Sequence, residues 1–284
     1  MKRASVLLAL ALGLLLAGNA GAVQPSEKYA SEPASLGLVF ESVHFPSLRD
    51  SVQVQGWWFP AAAPGPVVVL FPRGRGNMAD LLPSVPEFAR RGFAVLTFDP
   101  RDFGPGGAGD TDSLREVIFA SRWVDDGEVA IGFARTRAAG QPVFAWGQDL
   151  GASLAVAVAG RQRGMIDGIA IEGVFRTTYD QLGWLGLSQD PSLIRRHRVL
   201  VDQRDEPFSA ASRARVPIFA VLAGKDEVTP PQTTELVLLA NGTSVTRWPL
   251  PAAAHEGTER TPGYYDRIIE WMRLRARATP VRPH

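Results

Sequence analysis

Residues 144–155 read FAWGQDLGASLA: a short apolar run, a Gly-x-Xaa-x-Gly pattern and a run of small residues. The apolar run predicts a buried strand, and the small-residue run predicts a closely packed helix. The two glycines allow the sharp strand-to-helix turn called a nucleophile elbow, which presents its central side chain at the start of a helix. The central residue here is Asp149. The alternative is that Asp149 only caps the following helix.

Short apolar runs and longer helical patterns alternate on both sides of this turn. Strands are predicted at 38–40, 52–59, 66–71, 93–98, 142–146, 169–171, 216–222 and 243–248, and helices at 79–91, 113–138, 151–162, 230–240 and 262–277. This alternation predicts one α/β domain over residues 36–278, doubly wound around a mostly parallel sheet of about eight strands. The long segment 174–212 interrupts this alternation and predicts a small cap insertion. Residues 279–284 are predicted to form a tail.

The N-terminus has the pattern of an export signal. Lys2 and Arg3 precede a short apolar run that ends in small residues at Ala22. The run is shorter than the ~20 residues that a membrane span needs, so we predict a signal peptide over 1–22, cut after Ala22. Polar residues 23–35 predict a flexible leader. We therefore expect an exported protein, periplasmic or secreted, with no stable membrane association after cleavage.

Composition narrows the classes of function. The chain has 284 residues, 45% hydrophobic and 21% charged, with a formal net charge of +1. These values are typical of a soluble globular protein and give no bias toward nucleic acid. The absence of cysteine excludes disulfides, thiolate metal sites and a cysteine nucleophile. No motif predicts a metal, a cofactor or a nucleotide, so the expected partner is a small-molecule substrate or ligand.

Two further loops carry an acid and a histidine. In an open parallel sheet, ligands bind at the carboxyl ends of the strands. Asp226 follows the strand at 216–222, and His255 lies between the last strand and the final helix. The acid could orient the histidine and stabilise its charged form. The alternative for Asp226 is a solvated turn residue. We interpret His197 as a residue of the cap surface.

The loop after the strand at 66–71 contains Arg73, Gly74 and Arg75. A backbone N–H of such a loop, with that of Leu150 after the elbow, is expected to form an oxyanion hole. The arginine side chains could bind an anionic group of a substrate. Alternatively, they could be solvated at the surface or form an internal ion pair.

Five segments resemble the short-capped α/β hydrolases grouped with serine aminopeptidases and related lipases, thioesterases and esterases. They are RGRGN at 73–77, FDPRDFG at 98–104, GQDLGA at 147–152, GKD at 224–226 and AHE at 254–256. The resemblance extends from about residue 50 to the C-terminus. It implies the α/β-hydrolase fold, a site built from Asp149, Asp226 and His255, and hydrolysis of ester, thioester or amide bonds without a cofactor.

Three positions depart from the family pattern. Asp149 stands in place of the nucleophilic serine, Arg73 in place of the loop histidine, and Asp102 in place of a glycine. An ionised carboxylate offers His255 no proton to abstract, and its attack on an ester gives a mixed anhydride. Ordinary serine-esterase chemistry is therefore not expected.

Three interpretations stay open. The first is a hydrolase of an unidentified small-molecule substrate that uses Asp149 as base or nucleophile. The second is a catalytically inactive binding or scaffolding protein in which Arg73 pairs with Asp149. The third is an enzyme similar to haloalkane dehalogenases or epoxide hydrolases, in which Asp149 forms an alkyl ester. Dehalogenases usually have tryptophan after this aspartate, whereas this chain has Leu150, and its cap offers Tyr179 and Trp184.

Overall fold

The computed structural model describes residues 23–47, 49–50, 52–105 and 117–279. The predicted signal peptide and all but the first residue of the predicted tail lie outside these ranges. Within the described residues, every helix is too short or too polar to cross a membrane.

An eight-stranded sheet forms the centre of the domain. Its strands stand in the order β10-β9-β8-β7-β4-β6-β3-β2. They are β2 Glu41–Pro46, β3 Gln53–Phe59, β4 Val67–Phe71, β6 Ala94–Asp99, β7 Val143–Gln148, β8 Gly168–Glu172, β9 Ile218–Lys225 and β10 Val245–Ala254. All neighbours pair in parallel except β3 with β6 and β2 with β3. The predicted fold class, a doubly wound α/β domain with a mostly parallel sheet, is confirmed.

Helices cover both faces of this sheet. They are α1 Val85–Ala89, α2 Ser121–Arg137, α3 Leu150–Arg161, α4 Thr178–Trp184, α5 Pro191–Leu200, α6 Pro207–Ala214, α7 Pro231–Ala240 and α8 Tyr264–Ala278. Side chains of β4 alternate between the two layers: Val67 and Val69 share a core with α2 and α3, and Val68 and Leu70 share one with α1 and α8. Strands buried on both faces explain the continuous apolar runs of the sequence.

Several predicted elements have different bounds in the structure. The helix predicted at 79–91 is a 3₁₀ helix, Met78–Ser84, followed by α1, and the strand predicted at 243–248 extends to Ala254. The strand predicted at 38–40 begins at Glu41 instead. Of the helix predicted over 113–138, residues 113–116 lie outside the described ranges, and α2 begins at Ser121. Residues 117–120 are buried but not helical, and Ala120 has the extended backbone angles φ −146° and ψ 138°. A short apolar run carries no period that separates a helix from an extended segment.

The predicted leader lies against the domain. Gln24–Pro25 (β1) pairs in parallel with Arg75–Gly76 (β5). The hydroxyl of Tyr29 donates to Asp99 at 2.9 Å, and its ring packs 4.7 Å from that of Trp57. The expectation of a flexible leader is therefore corrected, because Val23 and Pro33 are buried against the domain and Tyr29 is partly buried.

The cap is smaller than predicted. Residues 174–212 contain α4, α5 and most of α6. However, α6 packs on α3 so closely that a Cβ on Gly160 would lie 2.7 Å from the carbonyl oxygen of Ala210. Because α6 thereby belongs to the helical layer beside the sheet, the cap itself consists of α4 and α5.

His197 of α5 is buried, so its interpretation as a surface residue was wrong. Its Nδ1 donates to the carbonyl oxygen of Leu193 at 2.8 Å, and its Nε2 accepts from the backbone N–H of Ile118 at 3.1 Å. Burial lowers the pKa of this imidazole. A neutral histidine thus connects the cap to the segment before α2.

Asp102 has φ 74°, in the left-handed region that favours glycine. This is the position at which the α/β hydrolases that the sequence resembles have glycine. The Asp102 carboxylate is bound by the indole N–H of Trp123 at 3.2 Å and lies 3.3 Å from the guanidinium of Arg122. These contacts help to hold a backbone conformation that an aspartate side chain tolerates better than most.

Candidate active site

Asp149 occupies a strained turn between β7 and α3. Its backbone angles are φ 54° and ψ −117°. A Cβ on Gly147 would lie 2.4 Å from the carbonyl carbon of Gly151, and one on Gly151 would lie 2.6 Å from the carbonyl oxygen of Phe71. Both glycines are therefore required by close backbone packing. The Asp149 side chain makes no capping hydrogen bond to α3, so it is presented by the turn rather than used to close the helix.

Asp226 and His255 directly follow β9 and β10. The His255 Nδ1 lies 3.0 Å from Oδ2 and 3.1 Å from Oδ1 of Asp226. Asp226 is buried, and its Oδ1 also accepts the N–H groups of Val228 at 2.9 Å and Thr229 at 2.7 Å. It is thus a fixed hydrogen-bond partner rather than a solvated turn residue. The opposite ring atom, Nε2, points toward Asp149 and lies 3.6 Å from its Oδ1.

Arg73 lies on the other side of the Asp149 carboxylate. Its Nε is 3.6 Å from Asp149 Oδ2, and its Nη1 is 3.9 Å from Glu259 Oε2. A charge-assisted hydrogen bond is shorter, about 2.7–2.9 Å. The Asp149 side chain keeps 22% of its surface exposed. The carboxylate therefore stands between two cationic groups without a tight bond to either, and it remains open to solvent.

Burial and the charges of neighbouring groups set the protonation of Asp149 and His255. Burial raises the pKa of Asp149, while the charges of His255 and Arg73 oppose that rise. Burial acts to lower the pKa of His255, but the hydrogen bond to Asp226 and the charges of Asp149 and Asp226 outweigh it, so this pKa is raised. The imidazole is therefore stabilised as a cation while Asp149 is ionised.

A further carboxyl group lies behind the site and was missed from the sequence. Glu172, the last residue of β8, is buried, and burial raises its pKa to about 7. Its Oε2 accepts from Gln148 Nε2 at 2.8 Å and from the hydroxyl of Tyr264 at 3.0 Å. The rule that strand ends carry site residues could have indicated Glu172, but its buried network depends on the distant Tyr264 of α8.

A cleft of about 350 Å³ opens above the elbow. Its wall includes all the predicted site residues except Asp226, which lies behind the histidine: Arg73, Gly74, Arg75, Asp149, Leu150 and His255. Arg75 also binds Glu256, at 3.1 Å. The cap contributes Gln181 of α4 to this wall. Tyr179 and Trp184 lie outside it, with 61% and 56% of their surfaces exposed. Among the described residues, no group of three or more His, Asp or Glu side chains could hold a metal ion.

Comparison with known proteins supports the fold. A family model described as serine aminopeptidase, S33, matches residues 62–178, from β4 through the elbow to the start of the cap. The chain has the α/β-hydrolase fold. No match was found among curated proteins.

Solved structures with this fold include several hydrolases. An esterase from Pyrococcus furiosus aligns with a TM-score of 0.68 and 17% identity, over 88% of this chain and 98% of its own. Acetyl xylan esterase 1 from a Thermoanaerobacterium species aligns at 0.63 and 16%, over 83% of each chain. Pyrococcus horikoshii acylaminoacyl peptidase aligns at 0.62 and 16%, over 88% of this chain and 44% of its own. Identities this low establish the shared fold and not a shared reaction.

Proposed function

We propose that this protein is an exported hydrolase of small organic substrates in which the Asp149 carboxylate is the nucleophile. The observation that carries the proposal is the position of this carboxylate at an open cleft, 3.6 Å from the Nε2 of His255. The other ring nitrogen of His255 is bound to Asp226. A nucleophile, a histidine facing it and an acid orienting that histidine are the parts that covalent hydrolysis requires.

In the first step, an Asp149 oxygen attacks an electrophilic carbon of the substrate. A new C–O bond forms, and the bond to the leaving group breaks with its electron pair. The raised pKa of His255 favours its protonated form in the free protein, so the imidazolium can donate a proton to a departing alkoxide, thiolate or amine. With an acyl substrate the intermediate is a mixed anhydride, and with an alkyl substrate it is an ester.

In the second step, water cleaves that intermediate. Once Asp149 is acylated or alkylated, its negative charge is lost. Because this charge helps to raise the pKa of His255, that pKa falls in the intermediate. The imidazole, neutral after the first step, then accepts a proton from the attacking water, and the Asp149 carboxylate is regenerated. The proton returned to His255 replaces the one given to the leaving group, so the cycle closes.

Arg73 gains a role from the same change of charge. Its guanidinium lies 3.6 Å from Asp149 and 3.9 Å from Glu259. When Asp149 is esterified, Arg73 loses one of these carboxylate partners. Its positive charge then becomes available to an anionic leaving group, or to the oxyanion that forms when water attacks.

The test is to trap the intermediate. A His255→Gln variant would be incubated with 4-nitrophenyl esters, thioesters, haloalkanes and epoxides, and Asp149 would be mapped by peptide mass spectrometry. 4-Nitrophenolate and halide leave without needing a proton, so removing the imidazole should block only the second step. We expect an adduct on Asp149 in this variant and none in the His255→Gln/Asp149→Asn control. Absence of any adduct across the panel would refute the nucleophile.

Labelled water separates the acyl and alkyl versions of the reaction. In a single turnover of wild-type protein in H₂¹⁸O, hydrolysis of an alkyl ester by attack on the Asp149 carboxyl carbon places the label in Asp149. Attack on the acyl carbon of a mixed anhydride places it in the released acid instead. Label in Asp149 therefore requires a covalent intermediate on this residue, whereas label in the released acid indicates a mixed anhydride only together with an adduct on Asp149.

A second candidate is a binding protein without catalytic activity. The observation in its favour is that the Asp149 carboxylate has a cationic group on each side, since such neighbours make a carboxylate a weaker nucleophile. An Asp149→Ser variant tests this candidate. Gain of activity on 4-nitrophenyl esters would mean that the His255 relay and the backbone N–H groups are competent. If the Asp149→Ser variant has no activity and no adduct forms on Asp149 in the His255→Gln variant, the protein without catalytic activity is favoured.

Export is part of the proposal and is supported by the basic and apolar pattern of residues 1–22. Expression of the full chain in a bacterium that secretes such proteins, followed by fractionation, tests it. The shortened chain should be recovered outside the cytoplasm, and retention of the full-length chain in the cytoplasm would contradict it.

A further inference from the structure

Val23 lies in the wall of the active-site cleft. Its side chain is only 8% exposed and borders the same cavity as Asp149 and His255. It packs over Gly74, where a γ-methyl group of Val23 stands 3.6 Å from the place a Cβ would occupy. The residue that follows the predicted signal-peptide cut is therefore also a residue of the site.

Backbone hydrogen bonds hold Val23 in this place. The N–H of Gln24 donates to the carbonyl oxygen of Gly74 at 2.8 Å, and that of Ser26 donates to Gly76 at 2.8 Å. The N–H of Val23 itself donates to the carbonyl oxygen of Val117 at 3.4 Å. The Val23 nitrogen is thus held at Val117, while the N–H groups of Gln24 and Ser26 connect this segment to the loop that carries Arg73 and Arg75.

We propose that export completes the active site: cleavage after Ala22 creates an α-ammonium group on Val23 that binds a carboxylate or similar anionic group of the substrate. Hydrolysis of the Ala22–Val23 peptide bond replaces one backbone N–H with an amine, which takes up a proton near neutral pH, since an α-amino group titrates at about 7.7–8.0. One N–H of this ammonium can keep the bond to Val117, and two remain for a ligand.

The cleft wall around Val23 carries charged side chains of both signs. Arg73 and Arg75 extend from the same loop into the same cleft. Four acidic side chains also line the wall: Asp80, Asp149, Glu256 and Glu259. Glu256 pairs with Arg75 at 3.1 Å, and Asp149 and Glu259 lie 3.6 Å and 3.9 Å from Arg73. An added α-ammonium group shifts this balance toward positive charge and so strengthens the attraction of the cleft for a substrate carboxylate.

This inference rests on the proposed function and on the predicted cut, and N-terminal sequencing of the exported protein is its first test. The mature chain should begin at Val23. A mature chain that begins at any other residue would overturn the inference, because the α-amino group would then stand elsewhere.

The second test compares three forms of the folded protein. One begins at Val23, after removal of a cleavable fusion partner; one retains Ala22, which moves the amine by up to ~3.8 Å; one begins at Val23 but is carbamoylated on that amine. Glutarate is the probe, measured by calorimetry, and glutaramide is its neutral control. We expect glutarate to bind the first form about tenfold more tightly than the others, as for a charge-assisted hydrogen bond. Its affinity for the first form should fall as the pH rises through the titration of the amine.

Equal glutarate affinity in the three forms, or no binding to the first, would overturn the inference. Its failure is distinguishable from that of the proposed function. Adduct formation on Asp149 without a difference among the three forms rejects only the role of Val23. A glutarate difference without any adduct on Asp149 rejects only the nucleophile.

Discussion

The elbow and the cap border the same cleft but are held in different ways. At the elbow, backbone atoms of Gly147, Gly151 and Phe71 approach so closely that they leave no room for side chains. The cap helices are instead connected to the domain through side chains. His197 accepts the N–H of Ile118, and Thr178 binds Glu206 at 3.0 Å. The geometry around Asp149 is thus independent of the side chain it presents, whereas the position of the cap depends on groups that titrate.

The Asp149→Asn substitution should have the largest effect on activity while leaving the fold of the elbow intact. If Asp149 is the nucleophile, the variant should lose about 10³-fold or more of any hydrolytic activity. Its thermal stability should be unchanged or higher. The folded protein raises the pKa of Asp149 above its ordinary value of 3.8, so the stability that Asp149 contributes falls as the pH rises from that value through the raised pKa. Asparagine does not titrate and avoids this loss.

Activity and thermal unfolding, measured on the same preparations between pH 3 and pH 8, check this prediction. A variant that unfolds at a clearly lower temperature than wild type at neutral pH would show that Asp149 also supports the elbow.

Gly151→Ala should break the elbow itself. Its new methyl group would stand 2.6 Å from the carbonyl oxygen of Phe71 and 2.9 Å from that of Pro72. Two backbone oxygens cannot move aside as a side chain can, so we expect a loss of about 3 kcal/mol in the free energy of unfolding. Denaturant titration measures it.

Gly132→Ala on α2 is the matched control, because a Cβ there would meet nothing within 4 Å. This substitution should stabilise the helix by roughly 0.5–1 kcal/mol. Equal effects of the two substitutions would mean that the glycines of the elbow do not set its geometry.

The difference between the elbow, which is fixed by local backbone packing, and the cap, which is held by distant side chains, also explains which features could be predicted from the sequence. Continuous apolar runs indicated the buried strands, and the glycines around Asp149 indicated the turn, because both patterns are local. The meeting of Asp226 with His255 followed from the rule that parallel strands end at one edge of the sheet. The burial of His197 and the attachment of Tyr29 to Asp99 could not be predicted in this way. Each depends on a partner far away in the sequence, and no local pattern identifies it.

The cap should loosen in acid through His197. Its Nε2 accepts the N–H of Ile118 only when the ring is neutral. The folded protein lowers the pKa of this ring from 6.5, so the stability it contributes is complete above 6.5 and is lost as the pH falls below that value. We expect the protection of the amides of Ile118 and α5, relative to their intrinsic exchange rates at each pH, to fall in acid by about 1–2 kcal/mol of local stability.

Hydrogen exchange between pH 4 and pH 8 measures this effect. His197→Gln provides the comparison, because its amide can still accept a hydrogen bond but does not titrate. His44, exposed on β2, is the control histidine. Exchange in α5 that follows the same pH dependence in wild type and His197→Gln would assign the loosening to another group.

Arg73→Gln should change stability little and should act mainly on the pH dependence of the site. Its charge opposes the effect of burial on Asp149, so its removal should raise the pKa of Asp149 further. The acid side of the pH profile for adduct formation on Asp149 should then move to higher pH. At distances of 3.6 Å and 3.9 Å from its partners, the loss in the free energy of unfolding should stay below about 1 kcal/mol. We would measure adduct formation on Asp149 against pH in the His255→Gln variant, with and without Arg73→Gln. This comparison shows the direction of the shift in the pH profile and whether the Arg73 charge causes it. An unchanged profile would mean that the guanidinium does not influence the elbow carboxylate, and the second candidate function would then lose the ion pair on which it rests.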